Sequence, residues 1–212
     1  MADVPGHSSA PYFSQRRTTE NFSRLCQLIM TICSDLFRTV LSHHIKPENL
    51  RMELDSNRTR LLQKGILNVE QSNLLYPAAS QSKYLVSSDL DLSLLYILLR
   101  NICKIQTHQN GWGKTPKSGD KCLAACIERI RINRNMISGH STIGEINDTL
   151  FHDIWSKLSS DIVRIEQMIT GGTMFERGVD ELLKCELNPS RAQKYVEAFR
   201  NVHCKYEKIK ES

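Results

Sequence analysis

The residues best suited to chemistry sit in CIERIRINRNMISGHST, residues 126–142. Arg129, Arg131, Arg134 and His140 stand there against a single acid, Glu128. Asn135 follows Arg134 directly, and His140 comes six positions after Arg134. An arginine keeps its charge at any ordinary pH and offers a planar fork to the nonbridging oxygens of a phosphodiester. A histidine titrates near neutrality and can move the proton of a 2′-hydroxyl or of a leaving group. Asn135 has the right groups to orient the imidazole or the phosphate. RNA carries its own nucleophile, so such a site needs no metal and no cofactor. On an ideal helix a six-residue offset leaves two side chains about 120° apart. Arg134 and His140 therefore converge only if the helix ends or bends between them, and Gly139 permits that. The alternative is a solvated basic face, with His140 placed near a helix C-terminus by the macrodipole.

Other reactive residues form no comparable group. The seven cysteines are an odd number without close pairs, which argues against a disulfide framework. Only Cys122 and Cys126 lie near each other, and no second pair completes a zinc site. The adjacent His43 and His44 would point about 100° apart on a helix. Arg100-Asn101 is a second Arg-Asn pair, but no histidine follows within seven residues. Trp112 and Trp155 could stack on bases. Trp155 lies in a periodic helix and reads better as core, and Trp112 as a cover over a helix end.

Helices must position these side chains. Phe22, Leu25, Ile29, Ile32, Leu36 and Val40 recur at steps of three and four and predict a helix over about 19–44, capped by Thr18 or Thr19. Pro47 opens a second helix, with Met52, Leu54, Leu61 and Leu62 as its apolar set and Gly65 as its stop. Asn68 caps a short turn that ends before Pro77. Asp89-Leu90-Asp91 opens the most apolar helix, expected at the centre of a bundle. Residues 107–120 read as a loop. Leu123, Ile127, Ile130 and Ile137 mark a long helix ending at Gly139. Phe151, Ile154, Leu158, Ile162, Ile165 and Ile169 mark another, stopped by Gly171-Gly172. A short helix over about 174–185 and a last one started by Pro189, lined by Tyr195, Phe199, Val202 and Tyr206, close the chain. No segment sustains a period of two. The expected fold is all-α, a single antiparallel bundle of six to seven helices. Residues 1–18 read as a disordered lead, 19–206 as the domain and 207–212 as a charged tail.

Composition narrows the classes further. With 40% hydrophobic residues in 212, the chain can build one sizeable core. Lys and Arg number 28 against 23 Asp and Glu, a net +5 that permits a nucleic-acid partner without requiring one. The longest apolar run, Leu94 to Leu99, is too short to span a membrane, and the start lacks a secretory h-region. A cytoplasmic setting is the expectation.

Five ordered blocks carry a family resemblance. They are SSDLDLSLLYILLRNIC (87–103), GWGKTP (111–116), ERIRINRNMISGHST (128–142), FHDIWSKLSSDIVRI (151–165) and CELNP (185–189). Together they resemble the HEPN domain family, in the branch found in the DAZ-interacting zinc-finger ubiquitin ligase, over about residues 20–205. The resemblance implies a dimerising α-helical bundle, associated with RNA or with other HEPN and signalling proteins in defence. In active members two protomers face each other and cleave RNA without metal. It implies that His140 is acid or base, that Arg134 holds the scissile phosphate and that Asn135 supports it. Arg129 and Arg131, in the same basic run, are the expected further RNA contacts. Asp89 and Asp91 resemble the acidic start of the branch's central helix, where a capping role is the favoured one. A noncatalytic interaction adaptor is the competing reading.

Overall fold

Apolar residues at helical spacing dictate the architecture. The computed structural model describes residues 10–77, 87–140 and 143–210, with side chains for 16–77, 88–140 and 143–201. Helix α1 (Ala10–Gln27) runs through a π-helical turn (Leu28–Cys33) into α2 (Ser34–His44). A 3-10 turn (Pro47–Asn49) leads into α3 (Leu50–Ser56), α4 (Arg58–Leu61) and α5 (Val69–Leu75). After a 3-10 turn (Ser87–Asp89) come α6 (Leu92–Asn101), α7 (Leu123–Gly139), α8 (Asp148–Ile169), α9 (Met174–Lys184) and α10 (Pro189–Lys210). No strand occurs among the described residues. The fold is an all-α bundle, as the periodicity requires.

The first helix begins at Ala10, earlier than the expected Thr18 or Thr19. Pro11 sits in its first turn, where a missing N–H removes no intrahelical bond. Thr18 is inside the helix, and its carbonyl accepts the Ile146 N–H at 3.1 Å. So residues 10–18 are helical, and only 1–9 of the expected lead lie outside the described residues. Residues 207–210 belong to α10, and 211–212 lie outside. The side chains of Val202 and Tyr206 lie outside as well.

The π turn explains one displaced core position. Its wider winding lets the Ser34 hydroxyl donate to the Ile29 carbonyl at 3.1 Å, while the Thr31 hydroxyl donates to the Gln27 carbonyl at 2.6 Å. One residue of extra winding moves the inward stripe from Ile32 to Cys33, which is fully buried. Ile32 is half-buried and faces Gly178 of α9, its Cδ1 3.6 Å from where a Cβ would stand. Beyond the turn, Leu36, Phe37 and Val40 are buried as the pattern requires.

The expected second helix is broken. Asn57 departs from helical geometry, and its amide donates to the Glu53 carbonyl at 2.8 Å. Leu54 and Leu61 are buried, but Met52 and Leu62 are exposed. Gly65 has φ +85°, which marks the stop. Asn68 caps α5 with a full capping box: its Oδ1 accepts the Gln71 N–H, and Gln71 Oε1 accepts the Asn68 N–H.

The shared neighbour in the bundle is the long α1–α2 helix, not α6. It packs against α6, α7, α8, α9 and α10. Phe22 meets Phe199 edge to face at 6.4 Å, tying α1 to α10. Arg16–His44 has the length and apolarity of a membrane span, but more than half of its apolar window is buried in the bundle. Its apolarity is accounted for by this core.

Glu166 of α8 is 1% exposed and joins two helices. Its carboxylate accepts the N–H groups of Phe175 (2.8 Å) and Glu176 (2.9 Å), capping α9 from outside its own sequence. Glu166→Ala leaves both donors unsatisfied. It is expected to lower stability by about 2 kcal/mol, read as a shift of the urea midpoint with unchanged slope. A loss within experimental error would show that water replaces the carboxylate.

Candidate functional site

Helix α7 carries every residue of the Arg-Asn-x4-His pattern. It runs unbroken through Gly139, and His140 is its C-cap at φ −91°. Gly139 is thus helical and does not turn the chain. The left-handed residue is Gly144, whose N–H donates to the His140 carbonyl at 2.8 Å. The bend that would bring Arg134 and His140 together within one chain is absent. Their Cα atoms keep the helical offset of about 120° and about 9 Å along the axis.

The two side chains have different surroundings. Arg134 is 9% exposed. Its Nη1 donates to Asn135 Oδ1 at 3.0 Å, and its guanidinium lies 6.0 Å from the centre of the Phe199 ring. The charge is held between an amide oxygen and an aromatic face, both of which favour it. It lines a cavity of about 220 Å³ with Arg38, Asp89 and Asp91. Asp91 caps α6, accepting the Leu94 N–H at 2.7 Å, as the sequence suggested. His140 is half-exposed at the end of α7, outside that lining. Exposed Met136 and Ile143 flank it along the chain.

Arg129 and Arg131, the expected RNA contacts, are engaged inside the protein. Arg129 grips Asp161 of α8 through Nε and Nη2, at 2.7–3.0 Å, and donates Nη1 to the Asp120 carbonyl at 2.8 Å. The Asp161 pairing raises its pKa further. Arg131 donates Nε to Glu128 Oε2 at 2.7 Å and lies 5.4 Å over the Tyr96 ring. Their positive charges are matched by buried carboxylates, so they do not form the open basic face expected of them.

Glu128 is the residue whose weight sequence reasoning missed. It has no exposed surface. Besides Arg131, it accepts the Tyr96 hydroxyl at 2.6 Å and the backbone N–H of Gly113. Burial, then the Glu128 hydrogen bond, pushes the Tyr96 phenol up to about 12, so it stays a donor at neutral pH. Trp112 meets Tyr96 edge to face at 6.1 Å, half-buried, which locks the 111–116 loop against α6 and α7. The signal was present: one acid among three arginines in a helical run marks an internal ion pair.

No group of three or more His, Cys, Asp or Glu with metal-holding geometry occurs among the described residues. Cys103 and Cys126 are buried, and burial pushes each thiol up to about 12. Cys26 and Cys33 are pushed higher by the same cause. Cys122 and Cys185 are exposed. Iodoacetamide at pH 8 is therefore expected to modify Cys122 and Cys185 and to leave the four buried thiols intact until the protein is denatured. Peptide mass mapping checks this, and labelling of Cys126 in the native protein would contradict the packing.

A family model described as DZIP3/hRUL138-like HEPN matches residues 47–195. The chain belongs to this HEPN family. The match covers the broken second helix through the start of α10, including the whole Arg134–His140 segment. The human E3 ubiquitin-protein ligase DZIP3 is 24% identical over 159 residues, 69% of this chain and 12% of that protein. Its Mus musculus counterpart is 24% identical over 156 residues, 68% of this chain and again 12% of the relative. The HEPN chain therefore spans about 12% of the length of the curated relatives it matches. No solved structure matches it.

Proposed function

We propose that this HEPN chain is a dimerising, RNA-associated module in which two copies together form a metal-independent endoribonuclease site, in a defence or signalling role. The observation that carries the reading is the separation within α7. Arg134 and His140 sit on one rigid helix yet point apart, so a joint site needs a second chain. A twofold pairing at the ends of the two α7 helices would supply it. His140 stands at that end, and exposed Met136 and Ile143 offer apolar contact around it.

In the composite site each group has one task. His140 takes the proton of the 2′-hydroxyl, whose oxygen attacks the adjacent phosphorus. Arg134 stabilises the charge gathering on the nonbridging oxygens. The P–O5′ bond breaks, and the partner's His140, in its protonated form, gives a proton to the leaving oxygen. The products are a 2′,3′-cyclic phosphate and a 5′-hydroxyl. Asn135 holds the Arg134 guanidinium at 3.0 Å and so positions it.

Purified protein incubated with labelled single-stranded RNA in EDTA tests this. Cleavage to cyclic-phosphate ends is expected, reduced about 10²- to 10⁴-fold in His140→Ala. Equal background cleavage by both proteins would exclude the nuclease and leave the homotypic adaptor. That second reading is favoured by the placement of Arg134 in a cavity with carboxylates. A monomeric mass by light scattering at high micromolar concentration would count against both.

A further inference from the structure

The cavity beside Arg134 has a chemistry that phosphate binding alone does not use. Five stretches of chain converge on it: the π turn through Ile29 and Met30, α2 through Ser34 and Arg38, the entry to α6 through Asp89 to Leu92, α7 through Arg134, and α10 through Phe199. At about 220 Å³ it is smaller than the pockets that take drug-sized ligands, and has room for one flat ring system. Its walls are apolar where Ile29, Leu92 and Phe199 face it, and its rim is acidic at Asp89 and Asp91. The π turn adds a second observation. Such turns are costly in isolation and cluster where a helix must re-aim side chains at a site. This one places Ile29 and Met30, on its own winding, and Ser34, directly after it, in the lining of this cavity.

Resting on the RNA reading above, we propose that this cavity receives a guanine base next to the phosphate held by Arg134. Carboxylates are pure acceptors. Guanine alone among the four bases presents two adjacent donors on its Watson–Crick edge, N1–H and the N2 amino group, which fit one carboxylate in parallel. Adenine and cytosine present one amino donor beside a ring nitrogen that a carboxylate repels. Uracil flanks its single N–H with two carbonyls. Asp91 already accepts the Leu94 N–H, but a carboxylate has about four acceptor sites, so capping and base contact are compatible. Splayed single-stranded bases read on this edge, against aromatic or guanidinium surfaces, are the common mode of sequence-specific RNA recognition. Phe199 and Arg134 supply both kinds of surface.

Calorimetric titration of the full chain with 3′-GMP, 3′-AMP, 3′-CMP and 3′-UMP tests the assignment. The expected result is binding of 3′-GMP about tenfold or more tightly than the others. The Asp89→Asn and Asp91→Asn pair should remove that preference while leaving the weaker nucleotides unchanged. Asparagine still caps α6, so the second variant is expected to fold. Amide shifts at Ser34 and Phe199 in the wild-type protein, read by NMR during the 3′-GMP titration, locate the base without any substitution. Four equal affinities, shifts confined elsewhere, or a guanine preference that survives both variants would overturn the base assignment. The absence of all nucleotide binding would overturn it too. The nuclease reading is judged separately, by cleavage in EDTA. Cleavage without base preference would leave the nuclease standing and remove only this inference.

Discussion

Glu128→Ala is expected to lower folding stability by about 3–5 kcal/mol, the range for removing one partner of a buried ion pair. Three donors converge on this carboxylate from three places: the Tyr96 hydroxyl of α6, the Gly113 N–H of the loop and Arg131 of its own helix. Alanine leaves all three without their acceptor in a site closed to solvent. The Tyr96 ring also loses the arrangement that puts Arg131 over one side of it and Trp112 at its edge. The damage should be local first. Hydrogen exchange is expected to quicken in residues 104–122 and along α6 before α8 and α9 respond. Glu128→Gln should cost less but still destabilise, since its amide nitrogen faces donors. Urea unfolding gives the total. A loss under about 1 kcal/mol would mean that the loop holds without its anchor.

Mixing two inactive variants is expected to restore RNA cleavage. Arg134→Ala lacks the phosphate contact and His140→Ala lacks the proton carrier, so each homodimer should fall to background. A mixed dimer keeps one arginine on one chain and one histidine on the other. With free exchange of subunits about half of the dimers are mixed, and activity should return in proportion to them, short of the wild-type level. The rigid separation of the two residues along α7 is what makes this outcome specific. A site completed within each chain would give no recovery, because neither chain of the mixed dimer has both groups. Two inactive variants that stay inactive when mixed, with subunit exchange shown by mass, would remove the two-chain site.

Much of the fold was legible because the apolar steps of three and four are dictated by core contact. Phe151, Ile154, Leu158, Ile162 and Ile165 all face the core in α8, and Asn68 and Asp91 cap as their types require. What periodicity could not carry was a change of winding. The π turn depends on Thr31 and Ser34 bonding back to carbonyls, and it shifts the stripe by one residue. Local propensity also overlooked the break at Asn57. At the candidate site the residue types pointed to the right helix, but charge was misread as exposure. Arg129 and Arg131 find their partners 32 residues away at Asp161 and one turn back at Glu128, and only the first of these requires the fold to be known. Gly139 was read as a bend because glycine permits one, while α7 continues because nothing there requires left-handed backbone.

The extent of the family match, residues 47–195, invites a cloning boundary near Pro47. The packing of α1–α2 forbids it. A fragment begun there would expose the faces of α6, α8 and α10 that this helix covers, along with the Ser34 and Arg38 side of the cavity beside Arg134. It would behave as a sticky, aggregating species rather than a domain. Any recombinant piece of this protein, and by the same reasoning of its longer relatives, should carry the helix that begins some forty residues ahead of the recognisable sequence.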